Sequence, residues 1–177
     1  MALVGTYRGQ AVPLYGRLLV LDPSISGTEE PDLRRALEDA DVAIVGGGRW
    51  QIAIKAGQDT AAIAVTIQLW DTPPDHAPGN DWEGPRPLTI ESPQGALILE
   101  NISSGPIPLE PRGVERVALP GGAGVYHVQA WHRGREQAAT AVTGLWEADE
   151  VDEDVAAAFA RLAGIEQYLL QIWPHQT

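Results

Sequence analysis

Cysteine is absent from the 177 residues. That one absence excludes disulfides, thiolate metal sites and a cysteine nucleophile together. Basic residues are scarce, with Lys and Arg totalling 12 against 24 acids, for a formal charge of −12. A phosphate-binding face needs clustered Lys and Arg, so nucleic acid is not an expected partner, and acidic membrane surfaces are disfavoured for the same reason. Long apolar runs are missing too, and none approaches the ~20 residues that a spanning helix needs. Met1 to Arg8 has no basic segment leading into an apolar stretch, so no export signal is read and the expected location is cytoplasmic. Phenylalanine occurs once, although tryptophan occurs six times.

What is present is globular: 44% hydrophobic residues and 20% charged ones. The length fits a single domain over 1–177, with a core that needs neither a disulfide nor a structural metal. Nineteen glycines and 14 prolines imply many turns.

Most ordered stretches alternate with period two, the mark of strands. Ile63, Val65, Ile67 and Leu69 share one face; Ala62, Ala64, Thr66 and Gln68 take the other. Trp50, Ile52 and Ile54 form a similar stripe, and Gly57 between the two runs suggests a hairpin. Ser92-Pro93-Gln94-Gly95 and Pro120-Gly121-Gly122-Ala123 suggest two more. Tyr126, Val128, Ala130 and His132 face opposite to Val125, His127, Gln129, Trp131 and Arg133. Leu14 to Asp22 and Ile165 to Trp173 complete the strand set. Two segments read as helix. Pro31 to Ala40 starts with proline where its missing N–H is harmless. Asp152 to Ala163 carries Val155, Phe159 and Leu162 at helical spacing, with Gly164 as its stop. The expected fold is mainly β, an antiparallel β-sandwich with two peripheral helices near 31–40 and 152–163; a closed barrel is the alternative.

Catalytic motifs are thin. Gly46-Gly47-Gly48 follows an apolar run, but a strand-like Arg49-Trp50-Gln51-Ile52 comes next where a phosphate loop needs a helix, so a flexible connection is expected. Asp75, His76, Asp81 and Glu83 share one proline-rich loop without any metal-ligand spacing. No Gly-x-Ser-x-Gly elbow occurs. His127 and His132 lie five apart on one strand and so point to opposite faces. No catalytic residue, metal site or cofactor is therefore nominated.

Two features suggest binding. Trp82 in the proline-rich loop and Trp146 at the start of an acidic stretch are candidates for an interface, because tryptophan is enriched at binding hot spots. The bland alternative is that each pins its loop to the body. Glu147, Asp149, Glu150, Asp152, Glu153 and Asp154 form the strongest charge feature. They complement a helix start and aid solubility; they would also steer a basic protein partner toward the surface.

The C-terminal third carries a family likeness. Pro120-Gly121, then Gly124-Val125-Tyr126-His127-Val128-Gln129-Ala130, then Arg133-Gly134-Arg135, an acidic spacer and Glu166-Gln167-Tyr168-Leu169-Leu170-Gln171-Ile172-Trp173-Pro174 resemble small bacterial β-sandwich proteins similar to the competence protein J family. Leu18-Leu19-Val20-Leu21-Asp22 fits the same layout. The characterised activity of that family is inhibition of a partner nuclease. The resemblance implies a non-enzymatic sandwich and assigns no contact residue. The expected function is protein binding, as an inhibitor or immunity-type antagonist of a basic nuclease or toxin. A hydrolase, or a carbohydrate- or small-ligand-binding sandwich, is the alternative. An open sheet edge would permit homo-oligomers.

Overall fold

A computed structural model describes residues 1–25, 31–75, 77–147 and 155–175. In chain order the elements are β1 (Leu3–Ala11), β2 (Arg17–Leu21), α1 (Pro31–Ala43), β3 (Val45–Gly47), β4 (Gln51–Lys55), β5 (Ile63–Trp70), β6 (Glu83–Ser92), β7 (Ala96–Asn101), β8 (Gly105–Pro106), β9 (Val117–Ala118), β10 (Gly124–Arg133), α2 (Arg135–Glu147), α3 (Val155–Arg161) and β11 (Gln167–Pro174). One sheet runs β1-β5-β11-β10-β6 and the other β3-β4-β2-β7-β8, with β9 beside β7. Pairing is antiparallel except between β5 and β11, which run parallel.

Alternation explains how the sheets stack. Ile63, Val65, Ile67 and Leu69 of the first sheet join Tyr126, Val128, Leu170 and Ile172 in one core with Leu18, Val20, Ile52, Ile54, Leu97 and Leu99 of the second. The other face of the second sheet presents Leu19, Leu21, Ala53 and Ile98, and α1 covers it with Leu33, Ala36 and Ala40. The middle layer is thus buried on both sides, and consecutive residues along β2, β4 and β7 are buried.

Several sequence expectations change. Gly46 and Gly47 of the triple glycine belong to a strand, β3, and not to a flexible connection, with Gly48 just beyond it. A Cβ on Gly46 would lie 2.2 Å from both Ala36 O and Ala40 N, so glycine lets β3 press against the backbone of α1. The three expected hairpins are corners between sheets: β4 leads to β5, β6 to β7 and β9 to β10, and each step changes sheet. A helix that the strand-dominated reading passed over, α2, follows β10 directly. The expected helix near 152–163 is α3, while Asp152, Glu153 and Asp154 lie outside the described residues.

Two tryptophans, Trp131 and Trp173, are buried, but not between the sheets. Trp131 and Trp173 alternate with Ala130 and Ile172, so they lie on the outer face of the first sheet, where Trp173 is still only 8% exposed. Trp131 Nε1–H donates to Gln171 Oε1 at 3.0 Å, and Gln171 Nε2 donates to Gln68 Oε1 at 3.2 Å. The chain between β5 and β6 runs from one end of this sheet to the other. Leu69 pairs with Ile172 at one end of the sheet, while Glu83 pairs with His132 near the other. The end of that connection meets the outer face at Arg133, which pairs with Asp81 and lies 4.6 Å from the Trp82 ring centre. Trp50 is half-buried ahead of β4, with the Arg49 guanidinium 4.7 Å from its ring centre.

Candidate functional site

Arg133 and Gln167 are cross-strand neighbours of β10 and β11, and the whole of 134–166 leaves and returns between them. Gly134 makes the departure possible: its φ is +70°, and a Cβ there would lie 2.1 Å from Ile165 O. The excursion holds α2 and α3. Ala138 and Val142 are the buried residues of α2, and Ala158 that of α3.

Trp146 stands near the end of α2 with 65% of its surface exposed. Its ring centre is 5.1 Å from that of Phe159, so the aromatic pair joins α2 to α3. Glu147 beside it is exposed. Asp149, Glu150, Asp152, Glu153 and Asp154 follow in sequence but lie outside the described residues, as does His76. The arrangement is an aromatic anchor with an open face, followed in the chain by anionic residues.

Trp82 has a different role. It is half-buried, and the Arg133 guanidinium lies 4.6 Å from its ring centre. Arg133 also donates to Gln167 Oε1 at 2.8 and 3.2 Å and pairs with Asp81. Trp82 therefore pins its loop to the foot of the excursion. Trp146 lies 11 residues beyond Arg135 along α2, roughly 16 Å at the helical rise, so the two tryptophans do not form one site.

The foot of α2 holds a polar cluster that sequence reasoning did not nominate. Glu166 is completely buried. Its Oε1 accepts from Gly57 N–H at 2.8 Å and from the Tyr168 hydroxyl at 2.6 Å, and Arg135 Nε stands 3.8 Å away. Burial, with the Glu166 carboxylate alongside, holds the Tyr168 phenol protonated far above its ordinary range. Next to this network is a pocket of about 390 Å³ lined by Ile44, Gly57, Glu83, His132, Arg135, Glu136 and Ala139. Burial lowers the pKa of His132, and nearby Arg135 adds to the shift while Glu83 opposes it. The only forewarning in the sequence was that His132 faces away from His127. The register confirms that: His127 lies on the outer face, its Nε2 2.7 Å from His175 Nδ1.

A cleft of about 760 Å³ lies between α1, β3 and β6. Arg35, Arg49 and Arg86 line it. Arg86 pairs with Asp39 at 2.8 Å and Arg49 with Glu91 at 2.6 Å. Asp39 also accepts from Gly47 N–H at 2.9 Å. Bonds from Gly47 and Arg86 outweigh the effect of burial and hold the Asp39 carboxyl below its usual range. Two of the three arginines are thus paired, and the Arg86–Asp39 pair ties α1 to the edge strand β6.

The fold defined by these two sheets, α1 and the β10–β11 excursion occurs in known proteins. One solved structure, described as crocagin biosynthetic gene J, aligns over 98% of this chain and 100% of its own, at 14% identity and a TM-score of 0.56. A second is ComJ of Bacillus subtilis, an inhibitor of the DNA-degrading activity of NucA; it aligns over 98% of each chain, at 11% identity and a TM-score of 0.53. The chain thus shares the fold of the competence protein J type over nearly its whole length, as the likeness in its C-terminal third implied. No family model and no curated protein sequence matches the chain significantly. No helix among the described residues is long and apolar enough to cross a membrane.

Proposed function

We propose that this chain is a non-enzymatic binding protein that inhibits a basic partner, a nuclease or toxin, through the α2–α3 excursion. The observation that carries the reading is Trp146: a large aromatic, 65% exposed, placed immediately before Glu147 and the acids at 149, 150 and 152–154. Aromatic anchors supply most of the energy of a protein interface, whereas charges around them set association rate and partner choice. The fold shared with ComJ, itself a nuclease inhibitor, supports the same direction.

The test is direct. A nuclease or toxin encoded beside this gene is purified, and its DNA degradation is measured with increasing amounts of the chain. Inhibition is expected, weakening as salt rises. Trp146→Ala should fold normally and lose roughly thirtyfold in affinity, the scale of one hot-spot residue. Undiminished inhibition by Trp146→Ala together with Glu147→Gln would remove this surface from the mechanism.

A further inference from the structure

We infer that the pocket at the foot of α2 is a receptor for one arginine side chain of the basic partner, an inference that rests on the reading above and extends it. Four separate parts of the chain build this pocket: Ile44 after α1, Gly57 after β4, Glu83 and His132 from paired positions of β6 and β10, and Arg135, Glu136 and Ala139 from the first turns of α2. Its one cation, Arg135, is offset by the buried Glu166 at 3.8 Å. That leaves Glu83 and Glu136 as the uncompensated charges on its walls, so the pocket is anionic. Glu136 also faces the positive end of the helix and reduces its repulsion of a cation.

A second observation is independent of charge. His132 Nδ1 is buried without a hydrogen-bond partner, 3.9 Å from Glu83 Oε1. Buried polar atoms are rarely left unpaired. A neutral imidazole protonated at Nε2 offers Nδ1 as an acceptor. A guanidinium is planar and has five donors, so it can reach a carboxylate and this nitrogen together. Its methylene stem would lie along Ile44 and Ala139. The pocket wall is also held rigidly: Ile44 keeps φ at +70°, costly for a β-branched residue, with its N–H bonded to Ala40 O and its carbonyl to Lys55 N–H.

The pocket and Trp146 belong to one surface. Ala139 and Trp146 are seven residues apart on α2, which puts them on the same face, about 10 Å apart along the axis. A standard interface spans that distance easily. A partner laid along α2 would place an arginine in the pocket while packing on the tryptophan.

The experiment reads the pocket without the partner. N-acetyl-argininamide is titrated into the full chain while the ring ¹⁵N signals of the histidines are followed by NMR; N-acetyl-lysinamide and the neutral N-acetyl-glutaminamide serve as comparisons. The expected result is a saturable shift of His132, with His127 and His175 unmoved, arginine binding most tightly and the neutral amide not at all. Glu83→Gln with Glu136→Gln should weaken binding roughly fivefold or more, since both carboxylates are solvent-accessible. Glu115→Gln, an exposed acid off the pocket, should leave it unchanged. An unmoved His132, an equal response to the neutral amide, tighter binding of lysine, or full affinity in the double variant would overturn the inference. Failure of nuclease inhibition with the arginine response intact would count against the nuclease reading alone. Inhibition without any His132 response would count against the pocket alone.

Discussion

Replacing Asp22 with alanine removes the acceptor at a corner that joins the two sheets. Asp22 follows β2 and is completely buried. Its Oδ2 accepts from the Ser92 hydroxyl at 2.5 Å and from Gln94 N–H at 2.9 Å, both on the turn between β6 and β7. Its Oδ1 accepts from Ser24 N–H at 2.8 Å and the Ser24 hydroxyl at 2.5 Å. Ser92 Oγ in turn accepts from Ala96 N–H at 3.0 Å, so the carboxylate orients the first bond of the returning strand. Hydrogen bonds to a charged group contribute about 1.5–3 kcal/mol each, and the Ser24 pair is local and partly wet, so the two long-range bonds set a loss of about 3 kcal/mol. For a chain of this size that is a fall in Tm of about 6–12 °C. The assay is urea unfolding followed by tryptophan fluorescence, with the midpoint falling and the m-value unchanged. Acid provides a second readout. Burial raises the Asp22 carboxyl pKa, but the bonds from Ser24, Ser92 and Gln94 outweigh it and hold the carboxyl below its usual range. The unfolded chain therefore binds the proton first, near pH 4, and the contribution is present above that pH and lost as pH falls through the lower folded-state value. Asp22→Asn should flatten the stability slope in this acid window. A loss under about 1 kcal/mol for Asp22→Ala, or an unaltered acid slope for Asp22→Asn, would refute the reasoning.

Other perturbations probe other joints. Glu166→Ala leaves the partly buried Arg135 without this counter-charge and takes the acceptor from Tyr168 and Gly57; it should cost about 3 kcal/mol in urea unfolding, with Glu166→Gln recovering part of that. Gly46→Ala drives a methyl group into the α1 backbone and should cost about 3 kcal/mol or more, detected as a lower midpoint and loss of helical circular dichroism. Burial makes His132 harder to protonate in the fold than in the unfolded chain. Its contribution is therefore intact above about pH 6.5 and is lost as pH falls through the lower folded-state value, and His132→Gln should flatten that part of the stability-against-pH curve.

The sequence carried the faces of the strands well and their partners poorly, for a physical reason. Period-two alternation records which side chains meet the core, and Ile63, Val65, Ile67 and Leu69 are all buried as the pattern required. Turn chemistry records only that the chain reverses. Ser92-Pro93-Gln94-Gly95 makes a turn, with Gly95 at φ +66°, yet β6 and β7 lie in opposite sheets. Whether a reversal pairs two strands or carries the chain to the facing layer depends on what else can pair. Here β10 takes β6, and β2 takes β7. The α2 signal was present in Ala138, Val142 and Leu145, spaced as one helical stripe, but small residues make that stripe faint.

Legibility of the candidate site follows the same division. Trp146 and Glu147 could be nominated from sequence because an exposed anchor and a charge run are local properties. Trp82 looked equivalent, and only the β10–β11 register, which brings Arg133 beside Gln167, shows that its ring is engaged by the fold. The pocket at the foot of α2 was beyond local reading altogether. Glu83 and His132 are far apart in sequence, and they face each other because a register shift between Ala130 and His132 lets β6 begin opposite the end of β10. Gly134 lies two residues beyond His132, and α2 starts from it beside the same opening. One irregularity in one strand pair thus sets Glu83 against His132 at the foot of the helix that carries Trp146. Restoring regular register by deleting Pro85, within the stretch where β6 carries one residue more than β10, should therefore disturb both ends of α2 together: Glu83 would shift against the His132 ring, and the Trp146–Phe159 contact would loosen. Loss of the His132 ring signal from its buried position without any change in Trp146 fluorescence would show that the two are independent.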